Sequence, residues 1–209
     1  MYSSERAKQI VKKDVAFLPA GIHDNVKLIS VRADKSINDN NFIEFKFDKD
    51  GMGFTHTEYE PRKSDQDTEE TYQDKCDKQF SRIEQILKCY YTDEKDREFS
   101  GENFVQFAKW VVEKLENAIK EKEILTRVKV VYNDNGYTTL PRYAKYTFIE
   151  PMSTVNEGKS MIVKLGIDNF ERPVKADPEV NNNNPLEVVT ADVNTTVNAS
   201  TGEASDLPF

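Results

Sequence analysis

Between residues 137 and 146, aromatic residues alternate with cationic ones, a combination suited to contact with nucleic acid. Aromatic rings stack on exposed bases, and neighbouring cations pair with phosphates. The residues of this 137–146 strip are Tyr137, Arg142, Tyr143, Lys145 and Tyr146. The alternative is that Tyr143 and Tyr146 fill one end of the hydrophobic core, since aromatic side chains contribute strongly to core packing.

Other cations and one more aromatic ring are candidates for the same chemistry. Strand alternation predicts that Phe42 and Lys46 share one outward face and that Arg127 and Lys129 share another. Lys159, in a predicted loop, could contact a phosphate. Together with the 137–146 strip, these residues are the predicted contacts for single-stranded DNA.

The tripeptide Gly158-Lys159-Ser160 matches the end of a phosphate-binding P-loop. The full pattern requires a glycine at the position of Ser153, followed by a helix where residues 161–163 favour a strand. A nucleotide-handling enzyme that uses this loop is therefore the least favoured of the functions considered.

Catalytic and metal-binding patterns are not evident in the sequence. His23, His56, Cys76 and Cys89 lack the paired spacings of zinc ligands. No nucleophile motif occurs, and the abundant carboxylates single out no acid and base pair. We therefore expect no enzymatic activity, no cofactor and no metal. Asp48-Lys49-Asp50-Gly51 lacks the later ligands of a calcium loop and is explained by a hairpin turn.

The location of the protein is predicted from its terminal sequence and apolar content. The first 14 residues, MYSSERAKQIVKKD, have no apolar core of a signal peptide, and no stretch approaches the roughly 20 apolar residues of a membrane span. We expect a cytoplasmic protein, in the host cytoplasm if it is viral, with no membrane partner.

The first part of the chain predicts three strands and two helices. Residues 26–32, 42–47 and 54–59 have β-branched or alternating patterns, and Asp50-Gly51 provides a hairpin turn. Apolar residues at spacings of three and four predict one helix over residues 65–91 and another up to residue 122, with Ser100 as its N-cap. A helical insert is thus expected at about residues 65–122.

Strand patterns return after the helical insert. Residues 127–132 are predicted to turn Val128, Val130 and Tyr132 inward. Asn135-Gly136 favours a hairpin into residues 137–140, and two further short strands are expected at residues 143–149 and 161–165.

Both ends of the chain differ in composition from its middle. Residues 1–17 are predicted to form a basic arm or short helix, and residues 18–172 the folded domain. From 173 to 209 the chain is rich in Asn, Thr and Ser, has no Lys or Arg after Lys175, and is expected to be a disordered acidic tail. The net charge is −8, and setting aside the six acids from Ala176 onward leaves −2. The nearly neutral remainder can hold a local basic groove.

The element order and three short segments resemble single-stranded DNA-binding proteins. The order of elements, three strands followed by a helical segment and further strands, resembles that of an OB-fold. The predicted class is therefore α+β, an OB-like antiparallel barrel with a two-helix insertion. Residues 18–26 together with 56–61 look like phage-encoded proteins of this kind. The last four residues resemble the acidic tip of bacterial single-stranded DNA-binding proteins: Asp206, Leu207, Pro208 and Phe209.

This resemblance implies a protein that coats single-stranded DNA in phage replication or recombination. Its tip would recruit replication, recombination or repair proteins by inserting Phe209 into a basic pocket. The alternative is a structural or virion-associated protein whose barrel binds protein rather than DNA. The oligomeric state is left open, because barrel edges can pair between subunits or be covered.

Overall fold

The computed structural model describes residues 16–173. The predicted basic arm up to residue 15 lies outside the described residues, as do residues 174–209, with most of the predicted acidic tail and its tip. Among the described residues, no helix is both long and apolar enough to cross a bilayer.

Three antiparallel strands form a meander at the start of the domain. Strand β1 spans Gly21–Lys35, β2 spans Asn41–Lys49 and β3 spans Met52–Tyr59, and β2 pairs with both neighbours. The β2–β3 turn consists of Asp50 and Gly51, with φ of 52° and 84°. Two consecutive positive φ values are what a tight hairpin turn needs, so the predicted turn is confirmed.

Strand β1 is long because it pairs with different strands along its length. Residues from Lys27 onward pair with β2, whereas Gly21, Ile22, His23 and Val26 pair with β4. The register shifts between Leu28 and Ser30 and again between His23 and Val26. Such irregularities bend a strand, which lets β1 belong to both halves of the sheet.

Helices α1, Glu69–Lys88, and α2, Phe104–Glu121, lie between β3 and β4, with a short 3₁₀ turn at Glu94–Arg97. Both predicted helices are confirmed, but Ser100 is not the N-cap of α2. Asn103 caps it, with Oδ1 accepting a hydrogen bond from the backbone N–H of Gln106 at 3.0 Å. Gly101 disfavours an earlier start, because glycine is a poor helix former.

The second half of the sheet is built on β4, Thr126–Tyr132, with β5 at Thr138–Thr139 and β6 at Ile149–Pro151. The order of paired strands is β3-β2-β1-β4-β5, and β6 also pairs with β4. Helix α3, Met152–Asn156, follows β6. The described residues therefore form an α+β fold with a mostly antiparallel sheet.

The core lies between the inner side of the sheet and the apolar sides of α1 and α2. Side chains from β2, both long helices and β4 meet there, so the predicted helix stripes are confirmed as core. The fully buried aliphatic and aromatic residues include Ile43, Phe45, Phe47, Ile83, Leu87, Val111, Leu115, Val128 and Val130.

Two predicted strands are wrong. Residues 143–148 form a loop, in which the Gln85 side chain donates to the carbonyl of Tyr146 at 3.2 Å and accepts from the N–H of Phe148 at 3.2 Å. The Gln85 side chain thus makes the backbone hydrogen bonds that a neighbouring strand would otherwise make. Residues 161–165 are also outside any strand, and Met161 and Val163 are exposed.

Candidate nucleic-acid interface

The outer side of the β1–β3 meander carries matched rows of polar and aromatic residues. Directly paired residues point to the same side of a sheet. Arg32 pairs with Glu44 and Glu44 with Thr57, while Lys46 pairs with Thr55 and Phe42 with Tyr59. Because Ile43, Phe45 and Phe47 are buried on the inner side, these residues face outward.

Two side chains from outside the meander border this surface. Phe17 and Tyr137 line a shallow depression of about 460 Å³ together with Lys46, Thr55 and Ile29. We call the whole surface the meander face. It is made of Phe17, Ile29, Arg32, Phe42, Glu44, Lys46, Thr55, Thr57, Tyr59 and Tyr137.

Local structure explains why Phe17 and Ile29 lie on this face. The backbone at Phe17 forms a parallel bridge with Gly53, and the N–H of Leu18 donates to the carbonyl of Gly53 at 3.1 Å. The irregularity between Leu28 and Ser30 leaves Ile29 exposed. Two apolar side chains are therefore held in solvent by backbone contacts.

Large aromatic side chains are exposed at both ends of the meander face. Tyr59 is 48% exposed, Tyr137 66% and Phe17 70%. A strand advances about 3.3 Å per residue, so Tyr59 and Thr55, which lies in the depression beside Tyr137, are about 13 Å apart. Two aromatic platforms are thus separated along β3, and Lys46, which pairs with Thr55, lies at the Tyr137 end.

The charges of the meander face are close together. The Arg32 Nε donates to Glu44 Oε1 at 2.7 Å, and Lys46 Nζ lies 3.7 Å from the same oxygen. The hydrogen bond from Arg32 is the main cause that lowers the pKa of Glu44 from its ordinary value. This carboxylate is therefore ionised at neutral pH and partly neutralises both cations.

Phe42 lies on the predicted outer side of β2, but its ring is not exposed. It is 8% exposed, because the Arg32 guanidinium lies over it at 5.3 Å from the ring centroid and the Tyr59 ring centroid is 5.8 Å away. The expectation that Phe42 offers a free stacking surface is corrected. Its role is to support Arg32 and Tyr59.

Lys129 does not face outward as predicted. It is fully buried, and its Nζ lies 2.8 Å from Asp168 Oδ2 and donates to the Tyr143 hydroxyl at 2.8 Å. The Tyr143 hydroxyl donates in turn to Asp168 Oδ1 at 3.1 Å. Residues 128–131 of β4 are all buried, and successive residues of a strand point to opposite faces, so both faces of β4 are covered and Lys129 is an internal ion-pair partner.

Tyr143 belongs to this internal cluster. Burial, with a further contribution from Asp168, raises the pKa of Tyr143 above its ordinary value, so its hydroxyl stays protonated. Its ring packs against the core, as the alternative to base contact anticipated.

Arg127 and Lys159 both make ion pairs within the domain. The Arg127 guanidinium donates through Nη2 to Asp24 Oδ2 at 2.8 Å and through Nη1 to Ser160 Oγ at 3.1 Å. Its hydrogen bond lowers the pKa of Asp24. The exposed Lys159 lies 2.8 Å from Glu157 Oε2. Of these contacts, the hydrogen bond from Arg127 to Ser160 holds the residues around Ser160 against β4.

The 137–146 strip is not one surface. Tyr137 borders the meander face, whereas Lys145 and Tyr146 line a different depression, together with Gln85 and Lys88 of α1. Arg142, Lys145 and Tyr146 are exposed. Of the predicted contacts, the structure brings together Phe42, Lys46 and Tyr137.

Seven residues of the meander face were not among the contacts predicted from the sequence: Phe17, Ile29, Arg32, Glu44, Thr55, Thr57 and Tyr59. Arg32 and Tyr59 lie in predicted strands, and a pairing of Arg32 with Glu44 could have been proposed from opposite charges alone. Phe17 and Ile29 gave no signal, because their exposure depends on the bridge to Gly53 and on the register shift in β1.

Residues 16–173 include no cluster of three or more His, Cys, Asp or Glu side chains placed to hold a metal ion. Ser160 of the P-loop-like tripeptide donates its hydroxyl hydrogen to Glu150, and residues 161–165 after it form no helix. Cys76 and Cys89 are both free thiols.

A scan against models of known protein families finds no match, and a search of curated protein sequences finds none either.

Proposed function

We propose that the protein binds single-stranded DNA on the meander face. The observation that carries the proposal is the exposure of Tyr59, Tyr137 and Phe17 on the side of the three-stranded sheet that also carries Lys46. Stacking on aromatic rings tolerates any base, and cations between the rings contact the backbone that connects the bases. Such a surface suits a protein that coats single strands regardless of sequence.

We also propose that the domain is an OB-like barrel. The strand order β3-β2-β1-β4-β5 places β3 and β5 at the two ends of the paired sheet. His56 of β3 and Thr139 of β5 are nevertheless in contact, at 2.8 Å between Nδ1 and Oγ1. This approach of the two end strands supports a sheet that curls toward closure. OB-folds bind oligonucleotides on the side of strands 2 and 3, the side that carries the meander face here.

The charge of the meander face suits weak, reversible contact with the DNA backbone. Arg32 and Lys46 are each about half exposed, at 51% and 49%. For single strands, the logarithm of the affinity falls with the logarithm of the salt concentration by about 0.7 per engaged cation. Two engaged cations correspond to a slope of about −1.4, so most of the affinity would come from stacking.

The proposed cellular role is protection of single-stranded DNA during phage replication or recombination, with partner proteins recruited by Asp206–Phe209. The support for recruitment is the sequence: a segment with no Lys or Arg after Lys175 ends in an acid, an aliphatic residue, a proline and an aromatic residue. An aromatic side chain beside a carboxylate is a suitable ligand for an apolar pocket lined by Arg.

The test is a titration of fluorescently labelled oligo-dT, followed by anisotropy. Tyr59→Ala and Tyr137→Ala are each expected to weaken binding by about 1–3 kcal/mol, the usual contribution of one stacked base. Tyr146→Ala is the matched control, because Tyr146 is 50% exposed but lies outside the meander face. Absence of binding at low salt would refute the function. If only Tyr146→Ala weakened oligo-dT binding, the binding site would be the depression lined by Lys145 and Tyr146 instead.

Intrinsic fluorescence is a poor signal for this titration. The single tryptophan, Trp110, lies in α2 and packs against Phe80, Phe99 and Phe107. It reports on the helical insert, whereas a label on the oligonucleotide reports on binding itself.

The alternative function is a structural or virion-associated protein that binds another protein. The exposed apolar side chains of Phe17 and Ile29 are compatible with such a partner. The same titration separates the two functions, because a protein-binding surface has no reason to show affinity for oligo-dT that depends on Tyr59 and on salt.

A further inference from the structure

Three charged side chains cross β1 and β2 at the centre of the meander face. Glu44 stands between Arg32 and Lys46, and one oxygen, Oε1, faces both: it accepts from Arg32 Nε at 2.7 Å and lies 3.7 Å from Lys46 Nζ. The Glu44 side chain is 15% exposed, whereas both cations are about half exposed. The carboxylate is thus recessed beneath two cations that reach solvent.

The Arg32 side chain is held in place by contacts of different kinds. Besides its bond to Glu44, Nη1 donates to Asp34 Oδ2 at 3.0 Å, and the guanidinium lies over the Phe42 ring. Phe42 in turn packs against Tyr59. A guanidinium fixed in this way loses little freedom when it binds an anion, which favours specific recognition of an oxyanion.

The contacts that Glu44 makes are those a phosphate oxygen would make. Carboxylates and phosphates both accept charge-assisted hydrogen bonds from Arg and Lys. The hydroxyl-bearing Thr57 pairs directly with Glu44 on β3, and Thr55 pairs with Lys46, so further donors border the same place. The aromatic platforms of Tyr59 and Tyr137 lie on either side of this polar row, so bases could stack on them while the phosphate between the bases contacts the row.

From this geometry we infer that Arg32 and Lys46 form a phosphate subsite of the meander face, and that Glu44 occupies the phosphate position in the free protein. The inference rests on the proposed binding of single-stranded DNA. When single-stranded DNA binds, one of its phosphates competes with the recessed Glu44 carboxylate for contact with Arg32 and Lys46. Glu44 therefore keeps the affinity low and the salt dependence shallow.

Glu44→Gln separates the charge of Glu44 from its shape. Glutamine keeps an oxygen that can accept from Arg32 Nε but carries no charge. Affinity for oligo-dT should rise about three- to tenfold at low salt, in the range of one exposed charge interaction. The salt slope should steepen toward about −1.4, the value for two fully engaged cations, because Glu44 no longer competes with phosphate for Arg32 and Lys46.

The experiment compares the wild type with Glu44→Gln, Arg32→Gln and the double variant by oligo-dT anisotropy across a salt series. Glu116→Gln is the matched control, since it removes one carboxylate from an exposed pair with Lys120 on α2, outside the meander face. The gain from Glu44→Gln should disappear in the double variant. Thermal unfolding of each variant confirms that the domain is intact.

The possible outcomes separate the subsite from the function. If the wild type binds and Glu44→Gln binds no better, or binds with an unchanged salt slope, Glu44 is only a structural partner of Arg32 and the subsite is refuted. An equal gain in affinity from Glu116→Gln would also refute the subsite, because the gain would then follow from the change in net charge alone. If neither the wild type nor any variant binds oligo-dT, single-stranded DNA binding itself is refuted.

Discussion

His56 Nδ1 lies 2.8 Å from Thr139 Oγ1, and this contact joins β3 to β5 across 83 residues of sequence. His56 is 1% exposed, and its other ring nitrogen, Nε2, is 3.3 Å from Glu58 Oε1. Both nitrogens of a buried imidazole therefore have partners. Because the two strands are at opposite ends of the order of paired strands, this contact brings two strands together that do not pair through their backbones.

Thr139→Val should destabilise the domain by about 1–3 kcal/mol, because a buried nitrogen loses its partner. Urea denaturation followed by circular dichroism measures the change. Thr138→Val is the matched control at the neighbouring, half-buried position of β5. Equal losses from the two variants would show that the His56 contact contributes nothing specific.

Glu58 should make the stability of the domain fall in acid. It is 4% exposed, and although burial raises its pKa, hydrogen bonds from Arg82 and His56 hold the pKa of this carboxyl well below its usual range. The folded pKa is below the unfolded one, so the ionised group stabilises the fold above about pH 4.3, the ordinary value for glutamate. That contribution should be lost as pH falls from about 5 toward the folded pKa. Denaturation midpoints at a series of pH values test this.

Arg82→Met should reverse the sign of this pH dependence. Arg82 donates to Glu58 through Nε at 2.6 Å and Nη2 at 2.7 Å, so its loss leaves a buried charge without its main partner, at a cost of about 3–5 kcal/mol near pH 7. The cost should shrink in acid, because Glu58 can then become neutral. Lys78→Met, which breaks an exposed pair with Asp74, is the control and should change stability by less than about 1 kcal/mol at any pH. A pH-independent loss in Arg82→Met would contradict the assignment.

Lys129→Met should mainly lower the stability of the domain, whereas Lys46→Met should mainly weaken DNA binding. Lys129 is buried against Asp168, so its loss should cost about 3–5 kcal/mol of stability. Lys46 is half exposed on the meander face, so its loss should leave thermal unfolding unchanged and weaken oligo-dT binding with a shallower salt slope. Thermal denaturation and anisotropy on the same two variants measure both effects. A stable Lys129→Met variant with weakened DNA binding would instead support the prediction from strand alternation that Lys129 faces outward and contacts DNA.

Local sequence signals predicted the strands and helices best where the determining chemistry is also local. The turns at Asp50-Gly51 and Asn135-Gly136 need positive φ, and the structure has φ of 84° at Gly51 and 78° at Gly136. The apolar stripes of α1 and α2 repeat every three or four residues, so these helices and much of the core could be predicted.

Other features depend on partners distant in sequence. Lys129 is buried because Asp168 and Tyr143 reach it, and residues 143–148 are a loop because Gln85 of α1 binds their backbone. Only part of the candidate site was predictable for the same reason. Alternation placed Lys46 outward, but the meeting of Phe17, Tyr59 and Tyr137 depends on strand register and on the Phe17 bridge.

Deletion of Asp206–Phe209 should separate the two proposed activities. The deletion leaves every residue of the meander face in place and removes one acidic side chain, so oligo-dT affinity should stay the same or rise slightly. Capture of replication or recombination enzymes on immobilised protein should be lost, because the segment proposed to enter their pockets is gone. Phe209→Ala should lose capture nearly as completely, whereas Ser205→Ala, one position before the segment, should not. Full capture by the deletion variant would assign recruitment to another part of the chain, and weakened DNA binding would show that the segment contributes to the DNA site itself.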